Sequence, residues 1–293
     1  MNAPTPENLF VDVNGIKTHY IDQGDPSKPP ILFIHGAFSS TAAWGDLFPF
    51  LEQDYRLIAL DLISHGYTDR VLKPPITIDL IIDHIHGFVE ALDLPAVPIV
   101  GNSFGCMVAV YYALQHPANV KGMVLLDGGL GKTAIPVKEI KGAPQLAAMS
   151  FTKYVGDALF PFIGKKMITD WYTRCLYDTS LITATRIENN QAPLRQKHSI
   201  KALNLLLRAL FKFGDPKNYA ELHVADRLPA LEMPVSIAWG ESDRILPRWI
   251  GEEMVQLLPH AQMQVIEKCG HLPHEECPQV VAKIIQEFMA TMS

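Results

Sequence analysis

Three short stretches of the chain carry side chains that can do chemistry together. Gly101-Asn102-Ser103-Phe104-Gly105 sets a hydroxyl between two glycines, after the apolar run Val97–Val100 and ahead of a helical pattern. A serine on a tight strand-to-helix turn projects its Oγ outward, and the helix that follows aims backbone amides at the same point. Serine alone is a weak nucleophile at neutral pH; it needs a base, and the base needs an orienting carboxylate. Both are available further along. Val235–Trp239 runs into Gly240-Glu241-Ser242-Asp243, and Met263–Ile266 leads to Cys269-Gly270-His271. A serine, then an acid, then a histidine, each after its own apolar run, is far more specific than any one of the three.

Such a relay needs a frame of parallel strands. Short apolar runs alternate with helical patterns, as βαβ units require. Leu9–Val13 and Ile16–Asp22 flank Asn14-Gly15, a strong hairpin signal. Pro30–Ile34, Leu57–Leu60, Val97–Val100, Val120–Leu126, Val235–Trp239 and Met263–Ile266 read as strands, most of them apolar enough for a sheet covered on both faces. Thr77–Leu92, Phe104–His116, Pro247–Leu258 and Pro278–Met289 have helical spacing. The fold class is therefore α/β, with a mostly parallel sheet flanked by helices.

The rhythm breaks between Leu130 and Leu228. Phe151, Tyr154, Phe160, Phe162, Trp171, Tyr172, Leu205 to Leu207, Phe211 and Phe213 lie there on helix-like patterns without strands. We expect a core of residues 1–129 and 229–293, with residues 130–228 as a helical cap over the strand ends, where ligands bind in open α/β sheets. The cap's aromatics are first of all its own core.

Composition narrows the partners. With 293 residues, 48% hydrophobic and 19% charged, the chain can bury a large core. A net charge of −6 without Lys or Arg runs gives no sign of nucleic acid or an anionic membrane as partner. The start has neither basic nor apolar signal regions, and the most apolar window, around Leu94 to Leu114, is broken by prolines, glycines, Asn102 and Ser103. A cytoplasmic protein without stable membrane insertion is expected. Its four cysteines (Cys106, Cys175, Cys269, Cys277) have no zinc spacing and read as reduced thiols. His84 and His86, two apart on a helix, face different ways and read as solvated or partly packed rather than as metal ligands. Oligomeric state is left open.

The chain resembles the α/β-hydrolase superfamily over nearly its whole length. The resemblance rests on Ile34-His35-Gly36-Ala37-Phe38, Asp61 with His65-Gly66-Tyr67-Thr68-Asp69, the Ser103 turn, Trp239-Gly240-Glu241-Ser242-Asp243 and Gly270-His271-Leu272-Pro273-His274-Glu275. It implies a triad of Ser103, Asp243 and His271, an oxyanion hole from the backbone N–H groups of Ala37 and Phe104, and no metal or cofactor. Where members often have Asp-x-Pro-Gly-His-Gly, Ile63-Ser64 replace Pro-Gly, which reads as a change of loop shape. Asp127 also ends a strand, a position from which some members draw their acid; Asp243 is favoured. The preceding glycine favours His271 over His274, Glu275 reads as a loop-fixing carboxylate and Cys106 as packing. His35, Phe38, Arg186 and Leu272 are candidates for substrate contact, His35 chiefly as a shaper of the oxyanion loop.

A serine at position 103, where dehalogenases and epoxide hydrolases of this fold have an aspartate, points to acyl transfer to water. Hydrolysis of carboxylic esters of apolar small molecules is the leading expectation. The alternative is a C–C bond hydrolase of meta-cleavage-type dienoate products. Gly-Asn-Ser-Phe-Gly resembles that group, as does the stretch from Tyr177 to Arg186, whose guanidinium would hold a substrate carboxylate. Against it, Ala37-Phe38-Ser39-Ser40 replaces the group's Ser-Gly-Pro-Gly loop, and Leu272 stands where it has tryptophan. Lactonase, thioesterase and acyltransferase activities, or a non-catalytic small-molecule receptor, come behind.

Overall fold

The computed structural model describes residues 8–73, 75–130, 156–211 and 224–292. Phe151, Tyr154 and Phe213 of the expected cap lie outside them. The chain opens with the hairpin β1 (Leu9–Val13) and β2 (Ile16–Gln23). Asn14 and Gly15 join the strands with φ of 53° and 82°, the left-handed pair that a two-residue turn needs to match strand twist.

β3 (Pro30–Ile34), β4 (Arg56–Leu60), the helix α1 (Ile78–Ala91), β5 (Val97–Asn102), α2 (Phe104–Gln115) and β6 (Val120–Leu126) follow. Thr77 caps α1, its Oγ1 accepting from the Leu80 N–H at 3.1 Å. Among the described residues, the helices α3 (Gly156–Cys175), α4 (Ala184–Leu194) and α5 (Ser199–Phe211) come next. The strand–helix rhythm resumes with β7 (Val235–Gly240), α6 (Trp249–Leu257), β8 (Ala261–Ile266), the single turn α7 (Pro273–Glu276) and α8 (Pro278–Ala290).

The strands form one eight-stranded sheet in the order β1-β2-β4-β3-β5-β6-β7-β8. β2 pairs antiparallel with β1 and β4; every other pairing is parallel. Strand side chains alternate between faces, and two clusters record it. Leu32, Ile34, Ile58 and Leu60 point into one with α1 and α2, while Ile31, Phe33, Leu57 and Ala59 point into the other with Trp44 and α8. Burial on both faces explains why these strands read as unbroken apolar runs. β8 departs from that expectation. It is an edge strand with alternating exposure, Val265 being 45% exposed.

A third cluster joins Ile168, Tyr172, Cys175, Ile187 and Leu203 of the helices to Ile245 and Leu272 of the loops after β7 and β8. From α5, Leu206 and Leu210 enter the large sheet cluster instead. The helical segment is thereby packed onto the ends of β7 and β8. All four cysteines are free thiols. Among the described residues, no helix is long and apolar enough to cross a membrane.

Candidate active site

Ser103 follows the last residue of β5 with φ 52° and ψ −115°, a backbone region that non-glycine residues avoid at a cost of about 1–3 kcal/mol. The turn is held by its surroundings. The Ser103 N–H donates to Leu126 O at 3.0 Å, and the Ser103 carbonyl accepts from the Cys106 N–H at 3.0 Å. Gly105 is required by close approach, since a Cβ there would lie 2.1 Å from Ile34 O. Asn102, buried beneath the serine, donates through Nδ2 to Leu126 O at 3.0 Å and to His271 O at 3.2 Å. It ties the serine turn to the histidine loop, a role that sequence reading missed.

The structure brings together the three side chains that the sequence singled out. Ser103 Oγ lies 3.0 Å from His271 Nε2, and His271 Nδ1 lies 2.8 Å from Asp243 Oδ2. The other carboxylate oxygen, Asp243 Oδ1, accepts the N–H groups of Ile245 at 2.6 Å and Leu246 at 3.0 Å. The imidazole is therefore oriented from Nδ1, with Nε2 facing the hydroxyl. His271 and Asp243 are buried and Ser103 is half-buried. Glu241 faces away and accepts from the Lys268 N–H at 3.2 Å.

The histidine loop is gripped from the helical segment. The His271 N–H donates to Cys175 O, at the end of α3, at 2.7 Å. Gly270 is needed there, because a Cβ would meet the same carbonyl at 2.0 Å. Glu276 accepts from the Gly270 and Asp178 N–H groups, each at 2.6 Å. Glu275 accepts from Tyr172 Oη at 3.0 Å, and burial pushes its carboxyl up to about 7 against the pull of Arg186 and Tyr172. His274 is buried against Trp44, ring centroids 4.5 Å apart, and burial lowers it to about 3. It takes no part in the serine contact.

Two of the candidates for substrate contact are engaged with the protein itself. His35 is fully buried: its Nδ1 donates to Gly36 O at 2.8 Å, and its Nε2 accepts from the Leu62 N–H at 3.1 Å. With both nitrogens engaged, it braces the loop. Arg186 is a tie between segments. It binds Leu181 O at 3.0 Å, Glu275 O at 3.2 Å, Glu275 Oε2 at 3.3 Å and the Asp46 carboxylate. Its fork faces protein carboxylates, not a substrate's.

Of the remaining candidates, Phe38 has φ 61° and packs against both the sheet cluster and the third cluster, its ring 6.5 Å from that of Trp171. Leu272 is buried in the third cluster. Ala37 precedes Phe38 in the loop after β3, and Phe104 opens α2 beside Ser103. Burial raises the Cys106 thiol, which donates to Leu126 O at 3.4 Å.

One neighbour of the relay is unexpected. Asp127, at the end of β6, is completely buried with φ 47°. Its Oδ1 accepts from the Gly240 N–H at 2.8 Å. Asp127, Asp243 and His271 each place one carboxylate oxygen or ring nitrogen within 4.8 Å of the others. Two of these three, Asp243 and His271, already serve the contact with Ser103.

This fold and geometry agree with the comparisons to known proteins. A family model described as alpha/beta hydrolase fold matches residues 29–278. The chain belongs to that family and is a hydrolase of that fold. It is 26% identical over 298 residues to the 2-hydroxymuconate semialdehyde hydrolase of Pseudomonas sp. (strain CF600), covering 99% of this chain and 97% of the relative. It is 26% identical over 282 residues to human Monoacylglycerol lipase ABHD6, covering 93% and 79%. Among solved structures, a meta-cleavage product hydrolase from Pseudomonas fluorescens IP01 superposes with a TM-score of 0.80 at 25% identity, covering 97% and 98%.

Proposed function

We propose that this hydrolase cleaves carboxylic esters of apolar small molecules through an acyl-enzyme on Ser103. The observation that carries the reading is the unbroken contact from Ser103 Oγ to His271 Nε2 at 3.0 Å and from His271 Nδ1 to Asp243 at 2.8 Å. His271 takes the Ser103 proton as Oγ attacks the ester carbonyl. The developing oxyanion is held by the Ala37 and Phe104 N–H groups, each donor of this kind contributing about 3–4 kcal/mol. Asp243 fixes the tautomer and stabilises the imidazolium. His271 then returns the proton to the leaving alcohol, and water activated by the same nitrogen releases the acid. This chemistry draws on no metal or organic cofactor. Residues 130–228 act as a cap, and Phe38 and Leu272 supply apolar wall to the substrate pocket.

A second reading, C–C hydrolysis of dienoate products, is favoured by the names of the Pseudomonas relatives. Against it, Arg186, the cation expected to hold the dienoate carboxylate, is engaged with Glu275 and Asp46. Turnover of p-nitrophenyl esters of short and long acids beside a 2-hydroxy-6-oxo-dienoate separates the two. We expect ester turnover, lost in Ser103→Ala. Turnover confined to the dienoate would overturn the ester reading, and ester turnover undiminished in Ser103→Ala would overturn both.

A further inference from the structure

Asp127 Oδ2 is buried and meets no hydrogen-bond donor among the described residues, although Oδ1 of the same carboxyl accepts from Gly240. A buried acceptor without a donor costs about 1–3 kcal/mol, more when charged. The group facing it is another acceptor, the Asp243 carboxylate, in the cluster that also contains His271. Asp243 already receives two backbone N–H groups and the His271 ring, and Asp127 already receives Gly240. Both carboxyl groups are buried and close together, an arrangement that favours holding a proton on one of them.

One proton resolves the conflict. We propose that Asp127 is a positioning residue that is protonated at neutral pH and donates an Oδ2–H hydrogen bond to the Asp243 carboxylate. Asp127 then stands behind the relay of Ser103, His271 and Asp243 and touches no reacting atom. The bond pins the acid that orients the imidazole, and the proton keeps the buried site to a single negative charge beside His271. Charge around Asp127 agrees. Burial first, and then the Asp243 carboxylate, push its carboxyl well above the usual range, with Glu276 of α7 adding to the rise. The other titratable groups facing it, the Cys106 and Cys269 thiols, are themselves pushed up by burial or by contact with a neighbouring thiol. The backbone fits as well, since φ 47° is a conformation that aspartate and asparagine tolerate best after glycine.

The inference rests on the relay reading above, and its first test needs no substrate. In the infrared difference between wild type and Asp127→Asn at neutral pH, we expect a protonated-carboxyl C=O stretch that belongs to wild type alone. The subtraction cancels any contribution from Glu275. In turnover, Asp127→Asn, whose amide can still donate, should keep kcat near wild type. Asp127→Ala should lose about tenfold to a hundredfold, the worth of a hydrogen bond to a charged group. Wild-type kcat should also fall at alkaline pH as Asp127 ionises, and that limb should be absent from Asp127→Asn, which cannot ionise. No band, an Asn variant as impaired as the Ala variant, or an Ala variant with wild-type kcat and pH profile would each overturn the assignment. A missing band with Ser103 still reactive would sink this inference alone; an unreactive Ser103 would sink the relay reading instead.

Discussion

Among the described residues, two buried aspartate–histidine hydrogen bonds have opposite fates. Asp61 and His19 meet at 2.6 Å, Asp243 and His271 at 2.8 Å, and all four side chains are almost wholly buried. The second nitrogen of His19 ends on Asn8 Oδ1 at 2.8 Å. Asp61 is used up by its loops, accepting from the N–H groups of Thr41 at 2.6 Å and Tyr67 at 2.8 Å. Burial would raise the Asp61 carboxyl, but the His19 hydrogen bond and the neighbouring histidines hold it below the ordinary value. That pair is a clamp, locking the loop after β4 to the hairpin and to the turn after β3. The second nitrogen of His271 faces the Ser103 hydroxyl, itself half-buried on a strained turn. An aspartate–histidine contact is thus common to structure and chemistry. What differs is whether the far nitrogen meets a finished acceptor or a reactive hydroxyl.

This contrast can be broken experimentally. The largest effect is expected at the relay: His271→Gln should lower kcat/KM for an ester by about 10⁴-fold or more, while the melting temperature stays within a few degrees. If turnover survives, His271 is no more than a second clamp. At the clamp the expectation reverses. Asp61→Asn should lower the unfolding free energy by about 3 kcal/mol or more, because an amide nitrogen facing the Thr41, Tyr67 and His19 groups leaves buried donors unmet, with chemical denaturation as the measurement. The fraction that remains folded should keep a reactive Ser103.

A smaller change tests the grip of the helical segment on the histidine loop. Arg186→Gln leaves Glu275 buried without its cation and should cost about 2–3 kcal/mol of stability, less than a fully buried pair because Asp46 is half exposed. Ester KM should rise less than twofold if Arg186 is the tie described, whereas a selective loss of dienoate turnover would return it to the substrate. The effect at His84 is smallest near neutral pH and grows on acidification. This histidine is buried, 2.8 Å from Thr18 Oγ1, and burial lowers it to about 4. Below its unfolded value the unfolded chain binds a proton that the native chain refuses, so stability falls as pH drops from about 6.5 towards 4, by up to about 1.4 kcal/mol per pH unit. His84→Gln should remove that increment from the difference between the two stability curves.

Much of this was legible in the sequence, for identifiable reasons. Pro30–Ile34 and Val120–Leu126 could be bounded to the residue because strands buried on both faces form uniform apolar blocks between turn residues. Ser103, Asp243 and His271 could be named because a serine, an acid and a histidine each follow a strand run, in that order. β8 was found short, from Met263 rather than Ala261, because an exposed edge dilutes the apolar signal. The partners of His35 and Arg186 could not be read because what engages them is remote in sequence. The His35 ring is met by Leu62, 27 positions away, and Arg186 by Asp46, 140 positions away. His84 was expected to be solvated or partly packed, yet its partner Thr18 is 66 positions distant. The Asp127 proton lies beyond any pattern, since it follows from the burial of two carboxyls from different strands in one pocket.

The central claim, that Ser103 is an activated nucleophile driven by His271, is tested most directly by fluorophosphonate labelling followed by peptide mass mapping. The account predicts a single covalent adduct on Ser103 in the wild-type protein and in Arg186→Gln, and none in Ser103→Ala or His271→Gln. A folded wild-type protein that fails to label, or a His271→Gln protein that labels as fast as wild type, would contradict it.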